Sequence, residues 1–330
     1  MPAYNAEKYI KETIESVLNQ SFRDFELIIV NDASTDGTKD VVLSLSDPRI
    51  RYYENEVNSG IVATRNHCLR RAAGKYIAVL DSDDISMPDR LEKQVKFLEA
   101  NAGYGLCGTF YRVIDSDGNS SVNIEVPTSF PDIKTFLVFN TCFCHSSVMI
   151  RRELINESGF TTGYDIIEDY EMAYRLSKMT KLANLPEFLT QYRVHGKNQT
   201  ISNAVKVLSL RKKLDARILN DLQIEFTERE LAIHSNFINS NFDFFKTNDD
   251  LVQLETWLLK LYDLLGSHKG FNKAVIIRIM IKRWILLFYS RRKISLRFLN
   301  TRLLRKFKAA FIIYFFEFVR DRFSNRLKVV

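Results

Sequence analysis

The sequence predicts an α/β fold in which a mostly parallel sheet is flanked by helices. Stretches of strand length alternate with amphipathic helical stretches along the first hundred residues, and residues 25–30 (FELIIV) are apolar apart from Glu26. An apolar run too short for a helix is typical of a strand covered on both faces, as in parallel sheets. Alternation of strands and helices indicates a doubly wound arrangement.

Each element has a local reason. Asn5 can cap a first helix whose apolar residues Ile10, Ile14 and Val17 share one face as far as about residue 20. Further strands are predicted at residues 49–53, 76–80, 105–113, 145–150 and 189–195, and further helices at 39–45, 61–73, 88–100 and 170–178. Residues 115–119 (DSDGN) predict a hairpin turn.

After about residue 201 the chain has no strand signal, which predicts an α-helical appendage. The sequence therefore divides into a predicted α/β domain, residues 1–203, and a basic helical C-terminal region, residues 204–330.

Composition excludes several classes of protein. A chain of 330 residues with 46% hydrophobic residues, 12 Gly and 6 Pro is not disordered, collagen-like or a disulfide-stapled miniprotein. Four scattered cysteines and an N-terminus unlike a cleavable signal favour a cytoplasmic location. The longest apolar run, residues 309–316, is shorter than the roughly 20 residues that span a bilayer. We therefore expect no membrane crossing.

Positive charge is concentrated at the C-terminus. Residues 268–330 contain 17 Lys and Arg against 2 Asp and Glu, a net charge of +15, which leaves −8 for the first 267 residues. This asymmetry favours an anionic partner, either a membrane surface or nucleic acid. A rough apolar stripe, Leu299, Leu303, Leu304 and Phe307, predicts a basic amphipathic helix lying on an anionic membrane. A helical bundle with a basic solvent face is the open alternative.

Acidic and polar clusters directly follow two predicted strands. Residues 31–38 (NDASTDGT) follow the strand at 25–30, and Asp81, Asp83 and Asp84 follow the strand at 76–80. Ligands of open α/β sheets bind beyond these strand ends. Three carboxylates in four positions repel one another unless a cation lies among them, and Mg²⁺ or Mn²⁺ prefers a few carboxylates with phosphate oxygens. This indicates a metal-diphosphate site, with a solvated acidic turn as the alternative.

Two further positions can carry chemistry. Asp169, in the pair Glu168-Asp169, is a candidate general base, although acidic residues also simply stabilise helix N-termini. His195 ends a strand before Gly196 and is a candidate metal or phosphate contact, with a structural hydrogen-bonding role as the alternative. Cys142 and Cys144 lack a second ligand pair at zinc-site spacing. P-loop, GxGxxG and GxSxG motifs are absent from the sequence.

Several separate motifs together resemble family 2 glycosyltransferases, which are inverting, nucleotide-sugar-dependent enzymes of GT-A fold. The similar segments are PAYNAEKYIKETIESVLNQSFRDFELIIVNDASTDGT, NSGIVATRNHCLRRAAGKYIAVLDSDDISMPDRLEKQV, HSSVMIRRE, Glu168-Asp169 with Arg175, and YRVHGKNQTIS, within residues 1–203. The resemblance implies a nucleotide-sugar donor, a glycan or lipid-linked acceptor in surface polysaccharide synthesis, and Mg²⁺ or Mn²⁺. The cysteine content, the N-terminus and the basic tail together predict a cytoplasmic enzyme that can lie on the inner face of the cell membrane.

The same resemblance implies roles for individual residues. Tyr4 and Asp32 would hold the nucleobase, with uracil expected, and Arg65 would meet the nucleotide. Asp81 would contact the ribose or the metal. Asp83 would bind the metal, His195 the metal or the diphosphate, and Asp169 would be the catalytic base. No role is assigned to Asp84.

One departure from the family pattern is expected to matter. Family members usually begin with an apolar strand before the P-x-Y-N segment, and this sequence opens at Met1-Pro2 without it. We therefore expect either a true start further upstream or a sheet that lacks a strand beside the nucleobase pocket. Three other interpretations stay open. The chain could be a non-catalytic scaffold of glycosyltransferase type, or a nucleic-acid-binding protein that uses the basic tail. A haloacid-type phosphatase fits less well, because its Asp-x-Asp would follow the first strand of the core.

Overall fold

The computed structural model describes residues 1–155, 158–196, 198, 203–290 and 301–323. The chain folds into two compact units, Met1–Phe130 with Phe143–Ser202, and Pro131–Cys142 with Asn203–Val330. The first unit contains all the strands of the described residues, and the second is helical. The segment Pro131–Cys142 thus groups with the helices that follow residue 203.

The strands of the first unit are β1 (Pro2–Ala3), β2 (Leu27–Asn31), β3 (Ile50–Glu54), β4 (Tyr76–Ala78), β5 (Ile85–Ser86), β6 (Tyr104–Ile114), β7 (Ser120–Ile124), β8 (Met149–Arg151) and β9 (Lys181–Arg193). Its helices are α1 (Ile10–Leu18), α2 (Thr38–Leu43), α3 (Ile61–Arg71), α4 (Arg90–Ala100) and α6 (Glu168–Ser177), while α5 (Phe130–Phe136) begins at the unit boundary. The predicted strand at 145–150 is replaced by a 3₁₀ turn, His145–Ser147, and β8.

Three parallel strands, in the order β1-β2-β3, form the first sheet. All of β2 is buried, as its apolar run predicts, and it packs against the apolar face of α1. The expectation that the strand beside β2 is missing is wrong. Pro2 and Ala3 pair in parallel with Val30 and Asn31, because the short N-terminal segment supplies the backbone groups that β2 needs.

Asn5 does not cap the first helix. Its φ of 49° is left-handed, and α1 begins only at Ile10. The Asn5 carboxamide oxygen instead accepts a hydrogen bond from the backbone N–H of Thr35 at 2.8 Å, while its own N–H donates to Ser34 at 2.9 Å. Asn5 therefore ties the loop after β1 to the loop after β2.

The second sheet has the order β4-β8-β6-β9-β5, with β7 paired to β6. Only β6 and β9 run parallel, and the other pairs are antiparallel. Parallel pairing, which the sequence predicts for most of the sheet, is therefore found among the described strands only in the first sheet and between β6 and β9. Strand β8 lies between β4 and β6 and runs antiparallel to both. The hairpin turn at 115–119 joins β6 to β7 as predicted.

The helical unit contains α7 (Ala204–Asp221), α8 (Glu228–Ile238), α9 (Asn248–Ser267), α10 (Lys273–Ser290), α11 (Arg302–Lys306) and α12 (Lys308–Phe323). Capping boxes fix two helix starts, Thr227 with Glu230 and Thr247 with Asp250. Across the described part of the chain, every helix is too short or too polar to cross a bilayer.

The predicted amphipathic stripe of the tail is not a surface feature. Leu303, Leu304 and Phe307 are buried in the helical unit, and Leu299 lies outside the described residues. The exposed apolar face lies instead on α12, where Ile312 and Phe316 are 46% and 67% exposed.

Candidate active site

The predicted site residues all belong to the first unit and, apart from Arg65, lie in its loops or at the ends of its elements. Tyr4 and Asp32 follow β1 and β2, Asp81 and Asp83 lie in the loop between β4 and β5, Arg65 is in α3, Asp169 is in the first turn of α6, and His195 follows β9. This is the arrangement expected where strand ends face a ligand crevice.

Asp32 is buried, with 4% of its surface exposed, and its carboxylate organises the loop before α3. It accepts hydrogen bonds from the Asn55 side chain at 2.7 Å and from the backbone N–H groups of Ser59 and Gly60 at 2.9 and 3.0 Å. A carboxylate offers about four acceptor positions, so one stays for a ligand. Tyr4 is 47% exposed and lies in the loop after β1, next to Asn5, which binds the loop after β2.

Arg65 links the acidic loop to helix α6. Its guanidinium donates to the Asp81 carboxylate at 2.7 Å and forms a close ion pair with Glu168. The Arg65 and Glu168 side chains are only 9% and 2% exposed. Because charges removed from water are stable only when paired, Arg65 holds the first turn of α6 beside Asp81. The sequence marks Glu168 only as a neighbour of Asp169, since its pairing with Arg65 spans 103 residues.

Asp83 and His195 contact each other directly. The Asp83 carboxylate oxygen lies 2.8 Å from Nε2 of His195, and the two side chains are 26% and 14% exposed. The His195 ring stacks on Tyr9, with ring centroids 5.1 Å apart. The two residues that the resemblance links to metal and diphosphate are thus brought together from segments 112 residues apart.

Asp84 and Arg193 hold this pair in place. One Asp84 oxygen accepts the backbone N–H of Arg193 at 2.8 Å. The Arg193 side chain, 2% exposed, donates to the backbone oxygen of Asp83 at 2.9 Å and to Glu12 at 2.6 Å. Asp84, for which the motifs imply no role, therefore ties the acidic loop to the end of β9, two residues before His195.

Burial and mutual repulsion set the protonation of the acidic loop. Burial is the largest single effect on Asp81 and opposes its ionisation, but the charge and the hydrogen bond of Arg65, together with other nearby positive charge, outweigh it and lower the pKa of Asp81. Burial and the Asp81 charge raise the pKa of Asp83, and burial with both neighbouring carboxylates raises the pKa of Asp84 well above its ordinary value. A cation placed at this loop would relieve the repulsion.

The donor set fits a hard divalent ion that is shared with a substrate. No three His, Cys, Asp or Glu side chains among the described residues are arranged to hold an ion by themselves. Asp83 and His195 supply one carboxylate and one imidazole at a partly exposed position. Mg²⁺ commonly takes one or two protein carboxylates and completes its octahedron with phosphate oxygens and water, and Mn²⁺ accepts similar ligands.

Asp169 occupies the first turn of α6, partly buried and next to Glu168. His145 is a half-buried residue at this site and begins the segment HSSVMIRRE, but the motifs imply no role for it. Its ring contacts Phe160, with centroids 5.7 Å apart, and burial together with the charge of Arg65 lowers its pKa to about 3. His145 is therefore neutral at pH 7.

A family model described as Glycosyl transferase family 2 matches residues 1–159. An uncharacterized glycosyltransferase of Haemophilus influenzae is 32% identical, over 72% of this chain and 76% of its own length. The chain belongs to glycosyltransferase family 2 and is a glycosyltransferase. The resemblance that the sequence motifs indicated is confirmed.

Other glycosyltransferases have a comparable sequence identity to this chain. EpsE of Bacillus subtilis, a putative glycosyltransferase, is 39% identical over 54% of this chain. The match covers 61% of the length of EpsE, which is less than two thirds. The O-antigen biosynthesis glycosyltransferase WbnJ of Escherichia coli is 31% identical over 60% of this chain and 79% of its own length.

Solved structures confirm the fold class. S. aureus TarS 1-349 in complex with UDP-GlcNAc matches with a TM-score of 0.56 and 21% identity, over 88% of this chain and 86% of TarS 1-349. The mannosyltransferase PcManGT of Pyrobaculum calidifontis, in complex with GDP-Man and Mn²⁺, matches with a TM-score of 0.52 and 17% identity. The match covers 86% of this chain and 85% of the PcManGT chain. The fold is GT-A with a C-terminal helical region.

Proposed function

We propose that this glycosyltransferase inverts the anomeric centre of a sugar, which it moves from a UDP donor to a hydroxyl of a glycan or lipid-linked acceptor in surface polysaccharide synthesis. One observation carries the proposal. Arg65 contacts both Asp81 of the acidic loop and Glu168, so the candidate base Asp169 begins its helix beside the candidate diphosphate site. The name of WbnJ, an O-antigen biosynthesis glycosyltransferase, supports the class of product.

Donor binding uses the loops after the parallel strands. Tyr4 would lie against the base, and the acceptor position left on Asp32 would take a base N–H, as uracil offers. Arg65 and Asp81 would meet the nucleotide and its ribose. Asp83 and His195 would hold Mg²⁺ or Mn²⁺ on the diphosphate, where the ion neutralises charge that develops on the leaving group.

Transfer then needs one proton acceptor. Asp169 would remove the proton from the acceptor hydroxyl as that oxygen forms a bond to the anomeric carbon. The bond from the anomeric carbon to the diphosphate breaks on the opposite face, and UDP leaves with the electron pair. A single displacement inverts the configuration, so one dedicated base is sufficient.

Calorimetric titration tests the donor site. UDP, GDP and dTDP are titrated with and without Mn²⁺ into the wild-type protein, Asp83→Ala and, as control, Asp117→Ala, which removes an exposed acid in the β6–β7 turn. We expect UDP to bind only with Mn²⁺, with binding lost in Asp83→Ala and kept in the control. Absence of binding by all three nucleotides contradicts the proposal and favours a non-catalytic scaffold.

We also propose that α12 lies on an anionic membrane surface at the inner face of the cell membrane, where a lipid-linked acceptor would be found. Its exposed face combines Ile312, Phe315 and Phe316 with the exposed basic residues Lys308 and Arg320. Each well-placed basic residue adds about 1 kcal/mol of attraction to such a surface.

Sedimentation with vesicles tests the membrane proposal. Vesicles of phosphatidylcholine with and without phosphatidylglycerol are compared for the wild-type protein, Phe316→Glu and the control Val252→Glu, which changes an exposed residue of α9. We expect binding to the anionic vesicles only, weakened by salt and by Phe316→Glu but not by the control. Equal behaviour of the two variants refutes this surface. Salt-sensitive binding to duplex DNA of comparable strength favours nucleic acid instead.

A further inference from the structure

Several buried polar atoms around Arg65 have no hydrogen-bond partner. They are Nε of Arg65, Oε2 of Glu168 and both ring nitrogens of His145. An unsatisfied buried polar group costs about 1–3 kcal/mol, so folded proteins contain few of them. Four such atoms in one neighbourhood indicate a place where something polar binds.

Contacts place the four atoms together. The Arg65 guanidinium and the His145 ring both contact Phe160, each with its centre 5.7 Å from the centroid of that ring. Ser146, the next residue after His145, accepts the backbone N–H of Asp81 at 3.0 Å. His145 therefore lies beside the carboxylate that Arg65 binds, and Glu168 pairs with the same guanidinium.

The chemistry of these atoms selects a neutral, hydroxylated ligand. Arg65 Nε donates, Glu168 Oε2 accepts, and a neutral imidazole has one donor and one acceptor nitrogen. A phosphate would meet the carboxylates of Asp81 and Glu168, and a cation would meet Arg65. A sugar hydroxyl both donates and accepts, so neighbouring hydroxyls on one ring match this mixed set.

We propose that His145, together with Arg65 and Glu168, binds hydroxyl groups of the transferred sugar and selects which sugar is transferred. This inference rests on the proposed function, because it needs a nucleotide-sugar donor. Glu168 and Asp169 both lie in the first turn of α6, so this subsite is within one helical turn of the candidate base.

The test compares each nucleotide with its sugar conjugates. UDP, UDP-glucose, UDP-galactose, UDP-N-acetylglucosamine, GDP and GDP-mannose are titrated with Mn²⁺ into the wild-type protein, His145→Leu, His145→Gln and the control His268→Leu, which changes an exposed histidine. Loss of one hydrogen bond weakens binding by about tenfold. We expect His145→Leu to weaken the best-bound sugar conjugate about tenfold and its free nucleotide less than twofold. His145→Gln, which can still hydrogen-bond, recovers part of the loss, and the control changes nothing.

The outcomes separate this inference from the proposed function. Equal weakening of nucleotide and conjugate, or no weakening of either, overturns the inference, since His145 would then be structural or uninvolved. Wild-type protein that binds every conjugate with the affinity of its free nucleotide also overturns it. Failure of the wild-type protein to bind any nucleotide contradicts the proposed function itself. Thermal denaturation of each variant shows whether it is folded.

Discussion

Replacing Arg65 by Met is expected to destabilise the protein because Glu168 then keeps a buried charge without a partner and Asp81 also loses its ion pair. The Glu168 side chain is 2% exposed and Arg65 is its only ion-pair partner within the described residues. Removing one member of a buried pair typically costs about 3–5 kcal/mol. The control is Lys39→Met, whose pair with Glu54 is 50% and 35% exposed and contributes less than about 1 kcal/mol.

Urea denaturation of three variants measures this effect. Arg65→Met should lower the free energy of unfolding by about 3–5 kcal/mol, and the double variant Arg65→Met/Glu168→Gln should recover part of the loss, because Glu168 no longer carries a stranded charge while Asp81 still lacks its partner. Lys39→Met should stay within about 1 kcal/mol of the wild type. The reasoning is refuted if Arg65→Met costs no more than Lys39→Met, or if the double variant is as unstable as the single one.

Two further predictions concern the helical unit. Burial raises the pKa of Asp215 from 3.8 to about 6, so the folded state holds the proton more tightly and stability falls as pH rises from about 4 to 6, by about 3 kcal/mol. Asp215→Asn should lack this fall when unfolding is measured against pH, and identical profiles would contradict it. Thr247→Ala, which removes the capping box of α9, should lower the free energy of unfolding by about 1 kcal/mol. A melting temperature equal to that of the wild type would show that the cap does not stabilise the helix.

The elements that sequence predicts well are those with local causes. The apolar run of β2 requires burial on both faces, and the helical periods of α1, α3 and α4 depend on neighbours within one or two turns. The sequence predicts one site for the acidic residues that follow β2 and β4 because it treats both strands as parallel members of one sheet. In the structure the two strands belong to different sheets.

Other features depend on partners that are distant in the sequence. The antiparallel insertion of β8 between β4 and β6 follows from sheet pairing, which no local pattern encodes. Asn5 has a typical capping side chain, yet its bonds to the loop after β2 fix it outside the helix.

The candidate site shows the same division. Motifs predict Asp83, Asp169 and His195, but the ion pair of Arg65 with Glu168 joins residues 103 positions apart. His145 lies in the similar segment HSSVMIRRE, but the sequence implies no role for it, since its two buried ring nitrogens without hydrogen-bond partners become visible only in the structure.

The most direct test of the central claim is the release of nucleotide by an Asp169→Asn variant. Wild-type protein is incubated with Mn²⁺ and the UDP-sugar that binds best, and UDP released to water as a surrogate acceptor is measured alongside UDP affinity. We predict that Asp169→Asn slows release by about 100-fold or more, the usual contribution of a general base, with UDP affinity within twofold of the wild type. Release at the wild-type rate would contradict the assignment of Asp169 as the base.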